Sequence, residues 1–571
     1  MNRRKFVSLG TASLCAMPVL GFSAFNKKKY GTESAKPAWL IELIKLNDEQ
    51  VKAMATSKIK DTSNRYFGGY LDGDEIPNPW SNAGFIMSAA NAISSSESSL
   101  YRSQELLKNI GEAIAALLKM QHTDGTIDLL QTNFHSTPDT GFMVKRMVPA
   151  YKLLAQSKTP GAGKVLLGIK IFLQNAGEAL ITGGIHTPNH RWVVSAALTK
   201  LNELWPDIRY VNRIEQWLAE HIDLDPDGQY TEKSTSGYSA VVDRVLITVS
   251  IGLQKPEILD AVRKNIMMMR YYIHPNGEVV TEASNRQDKG QIGTMENYYY
   301  ACRYLALLDN NGEMAAICRL IEKKSFSSLV GVLGYLLEDP TLWRELPDSK
   351  ALPTSYVKSF PYSGVVRIRR GEWDATILSN NPTWITFHKG NAILQGMRVA
   401  ASFFGKGQFE SDEIKEVGNN WVLTKKLEGP YYQPFENEFI RADGDLSKVP
   451  KSNRKKSNIQ YFETIVTIAE NSNGLVADIE LSGTDGVPVS LELIFRKGGT
   501  FSGTQPHPTK ADAFLFKEGK GSYTVGKDTI HFSPGRLEHK GIQLRGALPP
   551  MDAATVYLTG FTPFKHRIQL S

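Results

Sequence analysis

The spacing of apolar residues changes once along this chain of 571 residues, and the change limits the folds open to it. From about Trp39 to about Leu337, apolar residues recur every three or four positions, as in Leu106-Leu107-Ile110-Ile114-Leu117-Leu118 and Val193-Val194-Ala197-Leu198-Leu201. That spacing lays one apolar stripe along each of about twelve helices, parted by stretches bearing Gly, Pro, Asn and Asp. After Pro353 the texture becomes short strand-like runs, at residues 363–369, 384–387, 464–468, 489–495 and 554–558, with turns between them and no clear helix. The expectation is a multidomain α + β protein. Residues 37–340 form an incomplete (α/α) toroid of about twelve helices and residues 355–571 an antiparallel β-sandwich. A chain this long exceeds a single core and suits two domains.

A weak internal repeat supports the helical half. Asp124-Gly125-Thr126-Ile127, Asp227-Gly228-Gln229-Tyr230 and Asn276-Gly277-Glu278-Val279 each put a tight-turn pair before a short extended piece. Their separations approximate two units and one unit of a helical hairpin of roughly 50 residues. Stacked hairpins closing into a ring would gather these loops on one rim, where sites concentrate.

Composition excludes some partners. The formal charge of +7 includes Arg3, Arg4 and Lys5 at the N-terminus and is otherwise scattered, so nucleic acid is not expected. No run of eighteen or more apolar residues is present, so membrane insertion is not expected either. Cys15, Cys302 and Cys318 have no metal-binding or disulfide spacing. Residues 1–26 combine a basic head, a short apolar stretch and small residues, which reads as an export signal; the adjacent Arg3-Arg4 marks the twin-arginine type. A periplasmic or secreted product follows as the expectation. Oligomeric state is left open.

Polar residues crowd four of the predicted rim segments. In residues 183–192 a turn runs into a helix starting near Pro188, with Asn189, His190 and Arg191 in the first turn, where free amides and the helix dipole favour an anion. The others are residues 227–238, residues 277–288 and, more weakly, residues 133–140 with His135.

The Asn-His pair at a helix start, the segment Asp227-Gly228-x-x-x-Glu232-x-Ser234-x-x-x-Tyr238 and the order of toroid and sandwich resemble the heparinase II/III-like and related alginate polysaccharide lyases. The resemblance implies cleavage of an acidic, uronate-containing oligo- or polysaccharide by β-elimination. Asn189 and His190 would neutralise the carboxylate, Tyr238 would transfer a proton, and Arg191 and Arg286 would assist. Trp192, Glu232, Glu282, Asp288 and His135 would line the substrate. Relatives carry Gln at Lys233, a further His at Ser239, and a His-x-His-x-Asp run, partly metal-related, in the first strands. The nearest equivalent here, Phe387-His388-Lys389-Gly390-Asn391, has one His, so no structural zinc and no cofactor are expected, and His388 is left as a candidate reaching the cleft from the second domain.

Each residue also has a plain structural reading. Asn189 is a good helix cap, His190 and Tyr238 suit a core, Glu232 and Glu282 can pair with rim arginines, Arg286 can pair with Asp288, and tryptophans fill interiors. Two other functions compete. A glycoside hydrolase on the same scaffold needs two carboxyl groups about 5 to 9.5 Å apart, for which Asp139, Glu232, Glu282 and Asp288 are candidates. A non-catalytic glycan-binding protein needs only an aromatic cleft.

Overall fold

The computed structural model describes residues 35–571, so the predicted leader, with Cys15, lies outside the described residues. Twelve α-helices run from Ala38–Met54 to the short Leu333–Glu338, and strands follow from Ser355–Phe360 to Phe564–Leu570.

Alternate helices make an inner ring. Pro79–Ser94, Thr137–Ser157, Asn189–Leu204 and Tyr238–Leu253 each pack against the next, and most of their residues are buried. An outer helix such as Ile208–Leu218 buries only Tyr210 and Ile214, as expected of an element with a single apolar stripe. The ring's end returns to its start: Phe326–Val332 touches Ala38–Met54, and Leu333–Glu338 packs on Pro79–Ser94 and Thr137–Ser157. Gly163–Thr182 is long and apolar enough to cross a bilayer, but here it contributes Val165, Ile169, Phe172 and Leu173 to the toroid core. Cys302 and Cys318 are free and buried in the same core.

The internal repeat is geometric. His122, Asp225 and His274 each donate a backbone N–H to the carbonyl four residues on, at Thr126, Gln229 and Glu278, and accept from the intervening glycine. Gly125 and Gly228 sit at φ +85° and +104°, and a Cβ there would stand 2.1 Å from the Asn175 carbonyl oxygen and 2.8 Å from that of Lys264. Only glycine combines that backbone with so close an approach. The turn at Gly125 precedes the start of Thr137–Ser157 and the turn at Gly228 that of Tyr238–Leu253, so the repeat delivers inner-helix N-termini to one rim.

Two sheets of eight and ten strands form the second domain, antiparallel except where Ala513–Leu515 runs parallel to Ala554–Phe561. Val366, Ile368, Ala375, Ile377, Ile385 and Phe387 point into the core between the sheets. The alternating positions Arg367, Asp374, Thr376, Thr386 and His388 are polar yet buried. A strand's two faces differ by one residue, and this outer face is covered by the toroid rim: Arg367 Nε donates to the Tyr271 carbonyl at 3.0 Å, and Thr376 and Thr386 donate to Glu282 at 2.7 and 2.8 Å.

Candidate active site

The Asn189–Leu204 helix starts without a side-chain cap of its own. Its anion comes from the chain. Glu232, carried on the loop before Tyr238, accepts from the Asn189 backbone N–H at 2.8 Å and from Asn189 Nδ2 at 2.6 Å. The second Nδ2 proton faces Thr187 Oγ1 at 3.2 Å. A carboxylate at a helix N-terminus satisfies free amides and the dipole together. The place expected to take a substrate carboxylate is therefore filled by Glu232, and both donors of Asn189 are engaged.

His190, one residue on, has an Nδ1 with no hydrogen-bond partner among the described residues. Burial, then His186 and Arg286, push its pKa down to about 4, so the imidazole is neutral at neutral pH. His186 meets it edge-on at 4.8 Å between ring centres. Tyr238 opens the neighbouring inner helix, its N–H tied to Ser234 Oγ at 2.8 Å, which fixes the ring at the rim. The residue is half-buried, and its hydroxyl makes no hydrogen bond among the described residues. Arg286 bridges the two sides. Its guanidinium carbon lies 5.2 Å from the centre of the Tyr238 ring and its Nε 3.4 Å from Glu232 Oε2. Asn189, His190, Glu232, Tyr238 and Arg286 thus form one connected constellation.

The remaining candidates go elsewhere. Arg191 and Trp192 are tied into the fold: Arg191 Nη2 and Trp192 Nε1 both donate to Asp223, at 2.8 and 3.0 Å, and Trp192 is fully buried. Asp288 does not pair with Arg286; it accepts from Ser236 N at 2.9 Å and from Ser284 Oγ, which pins the Tyr238 loop to the third segment. Asp139 lies in the first turn of its helix, its N–H donating to the cap Ser136 Oγ and its carboxylate accepting from the Ser136 hydroxyl and from Asn133 Nδ2. His135 stays exposed on the rim, stacked on His122, and shares with His186 a depression of about 390 Å³. His186, and Phe142 beside His190 with Lys145 over its ring, carry no motif that marks them in the sequence. A run of helix-spaced residues looks the same whether it faces a core or a cleft.

His388 is buried in the domain interface, stacked on His274. Potential ligand atoms of His274, Asp374 and His388 all lie within 4.8 Å of one another, a grouping no sequence spacing reveals because His274 belongs to the toroid. The arrangement does not fit a metal. The two imidazoles stack at 3.8 Å with planes 14° apart, so their in-plane lone pairs cannot meet on one ion. Asp374 already accepts from Arg367 Nη2 and from His274 Nδ1. Burial depresses the His274 pKa, but Asp374 and Glu282 outweigh it and carry it up to about 9, while burial and then charged His274 push His388 down to about 3. Arg367 and protonated His274 thus balance Asp374 and Glu282 without further charge.

No family model and no curated protein sequence matches the chain. Solved structures do. Heparinase III aligns over 92% of this chain and 82% of its own, with a TM-score of 0.54 and 11% identity. The chondroitin AC lyase of Streptomyces coelicolor A3, in complex with chondroitin sulphate, aligns over 94% and 79% with a TM-score of 0.55 and 11% identity. A xanthan lyase of Paenibacillus aligns over 93% of this chain and 55% of its own, with a TM-score of 0.53 and 10% identity. The chain has the fold of these polysaccharide lyases, a helical toroid followed by β-sheets.

Proposed function

We propose that this chain cleaves a uronate-containing glycan by β-elimination. The observation that carries the reading is an uncharged imidazole at His190 and an unpartnered phenol at Tyr238, on the starts of adjacent inner helices, with the Arg286 guanidinium between them. In the reaction a base removes the C5 proton, its electron pair forms the C4=C5 double bond, and the C4–O4 bond breaks as O4 takes a proton. No water is added. The cost lies in the negative charge that develops beside the C5 carboxylate.

Arg286 is the donor for that charge, since no acceptor among the described residues holds its terminal nitrogens. Neutral His190 takes the proton and Tyr238 returns one to the leaving oxygen, as positioned acid–base groups do. Asn189 acts through Glu232, as a positioning residue.

Hydrolysis fits less well, because each acid considered for it is committed: Asp139 to the Ser136 hydroxyl and Asn133, Glu232 to Asn189, Glu282 to two threonines and Asp288 to serines. The chondroitin AC lyase structure holds a sulphated acidic polysaccharide, which supports an acidic polymer as substrate. Export by a twin-arginine-type signal to the periplasm or beyond belongs to the same proposal.

The test is a panel of uronate polymers followed by ultraviolet absorbance, which reports the conjugated unsaturated uronate. A rise is expected with at least one polymer. Reducing ends without it would mean hydrolysis, and binding without either product would leave a glycan-binding module.

A further inference from the structure

Below the Tyr238 constellation the ring interior carries three cations that no acid answers. Lys145 and Arg146 lie about two turns into Thr137–Ser157, and Arg244 lies in the second turn of Tyr238–Leu253. Lys145 is 5% exposed, and its Nζ and the Nε of Arg244 have no hydrogen-bond partner among the described residues. Burial, and then repulsion from Arg244 and Arg146, holds the Lys145 ammonium well below the usual lysine pKa. Buried charges in folded proteins are ordinarily paired, because an unpaired one costs several kcal/mol. Here three basic side chains are gathered with no acid beside them.

Aromatic rings join this cluster to His190. Lys145 Nζ lies 5.1 Å from the centre of Phe142, Arg146 4.8 Å from Trp80 and Arg244 5.3 Å from Tyr335. Trp80 and Phe142 are 5.4 Å apart, Phe142 meets His190 edge-on at 6.4 Å, and the Trp80 indole N–H is itself unpartnered among the described residues. Apolar faces with polar donors between them suit a sugar ring.

We propose that Lys145, Arg146 and Arg244 form an oxyanion subsite that holds a sulfate ester or second carboxylate on a sugar next to the one cleaved. The inference rests on the glycan reading of the same cleft. An arriving anion supplies the missing counter-charge and restores the protonated form of Lys145, so affinity and specificity are gained at one place.

The test reads binding, not turnover. Melting temperatures of the full chain are compared in sodium sulfate and sodium chloride at equal ionic strength, for the native protein and for Lys145→Met. The native protein should gain an extra sulfate-dependent rise that Lys145→Met lacks, while the variant in chloride melts no lower than the native protein. Equal sulfate dependence in both overturns the subsite, and Arg244→Gln provides the same comparison if Lys145→Met fails to fold. Size-matched sulfated and unsulfated uronate oligosaccharides are then titrated against both proteins in the Tyr238→Phe background. A loss of affinity of about tenfold in Lys145→Met confined to the sulfated ligand identifies a sulfate ester. A loss for both ligands identifies a carboxylate, and no loss for either overturns the proposal. With Tyr238 intact, glycan binding without unsaturated product would sink the elimination reading and leave the subsite standing.

Discussion

Arg286 and Tyr238 meet face-on, the guanidinium carbon 5.2 Å from the ring centre, although they come from different rim segments. The cation lies against the ring face, an attraction that ties the two segments together. Tyr238→Phe keeps the ring and removes only the proton carrier. Turnover should fall by at least about 100-fold, with the melting temperature and glycan affinity unchanged. Full activity in this variant would remove the assignment.

His190 gives a pH signature. Its folded pKa of about 4 is depressed by burial, His186 and Arg286, whereas an unfolded histidine titrates near about 6.5. Between these values the unfolded chain binds more protons. The contribution to stability is therefore complete above pH ~6.5 and is lost as pH falls towards about 4, amounting to roughly 3 kcal/mol at most. Denaturant unfolding of the native chain and of His190→Ala across this range should converge as pH falls. A constant difference would show that His190 is not held neutral.

Stacked rings and a satisfied Asp374 predict that the His274–Asp374–His388 group binds no ion. Purified protein should carry no stoichiometric zinc or calcium by elemental analysis, and a chelator should leave the melting temperature unchanged. One equivalent of metal lost together with stability would reverse this conclusion.

Arg367 is fully buried and bonded to Asp374, Thr376 Oγ1 and the Tyr271 carbonyl. Arg367→Met leaves Asp374 with His274 alone. Removal of one partner from a buried pair costs about 3–5 kcal/mol. The expected result is a lowered melting temperature and separation of the two domains into distinct transitions by calorimetry; an unchanged single transition would show that the interface does not depend on this pair.

The sequence by itself determined what depends on neighbours along the chain. Helical spacing up to Leu337 and alternation after Pro353 specify two domains, since each period fixes which face of an element is apolar. The Asp-Gly and Asn-Gly pairs specify the repeated turn, because its positive φ favours glycine, and at Gly125 and Gly228 close packing excludes a side chain as well. From these, the Asn-His start and the Tyr238 segment could be placed on one rim.

Tertiary structure decided which side chains that rim leaves free. Glu232 reaches across 43 residues to occupy the helix start where an outside anion was expected, and Asp223 takes up Arg191 and Trp192. His274 and His388 meet only because the sandwich docks on the rim. Lys145 and Arg244 share an unpaired interior only because their helices are neighbours in the ring's inner wall. Hydrogen bonds and charges act over a few ångströms in space, and separation along the chain does not record such distances.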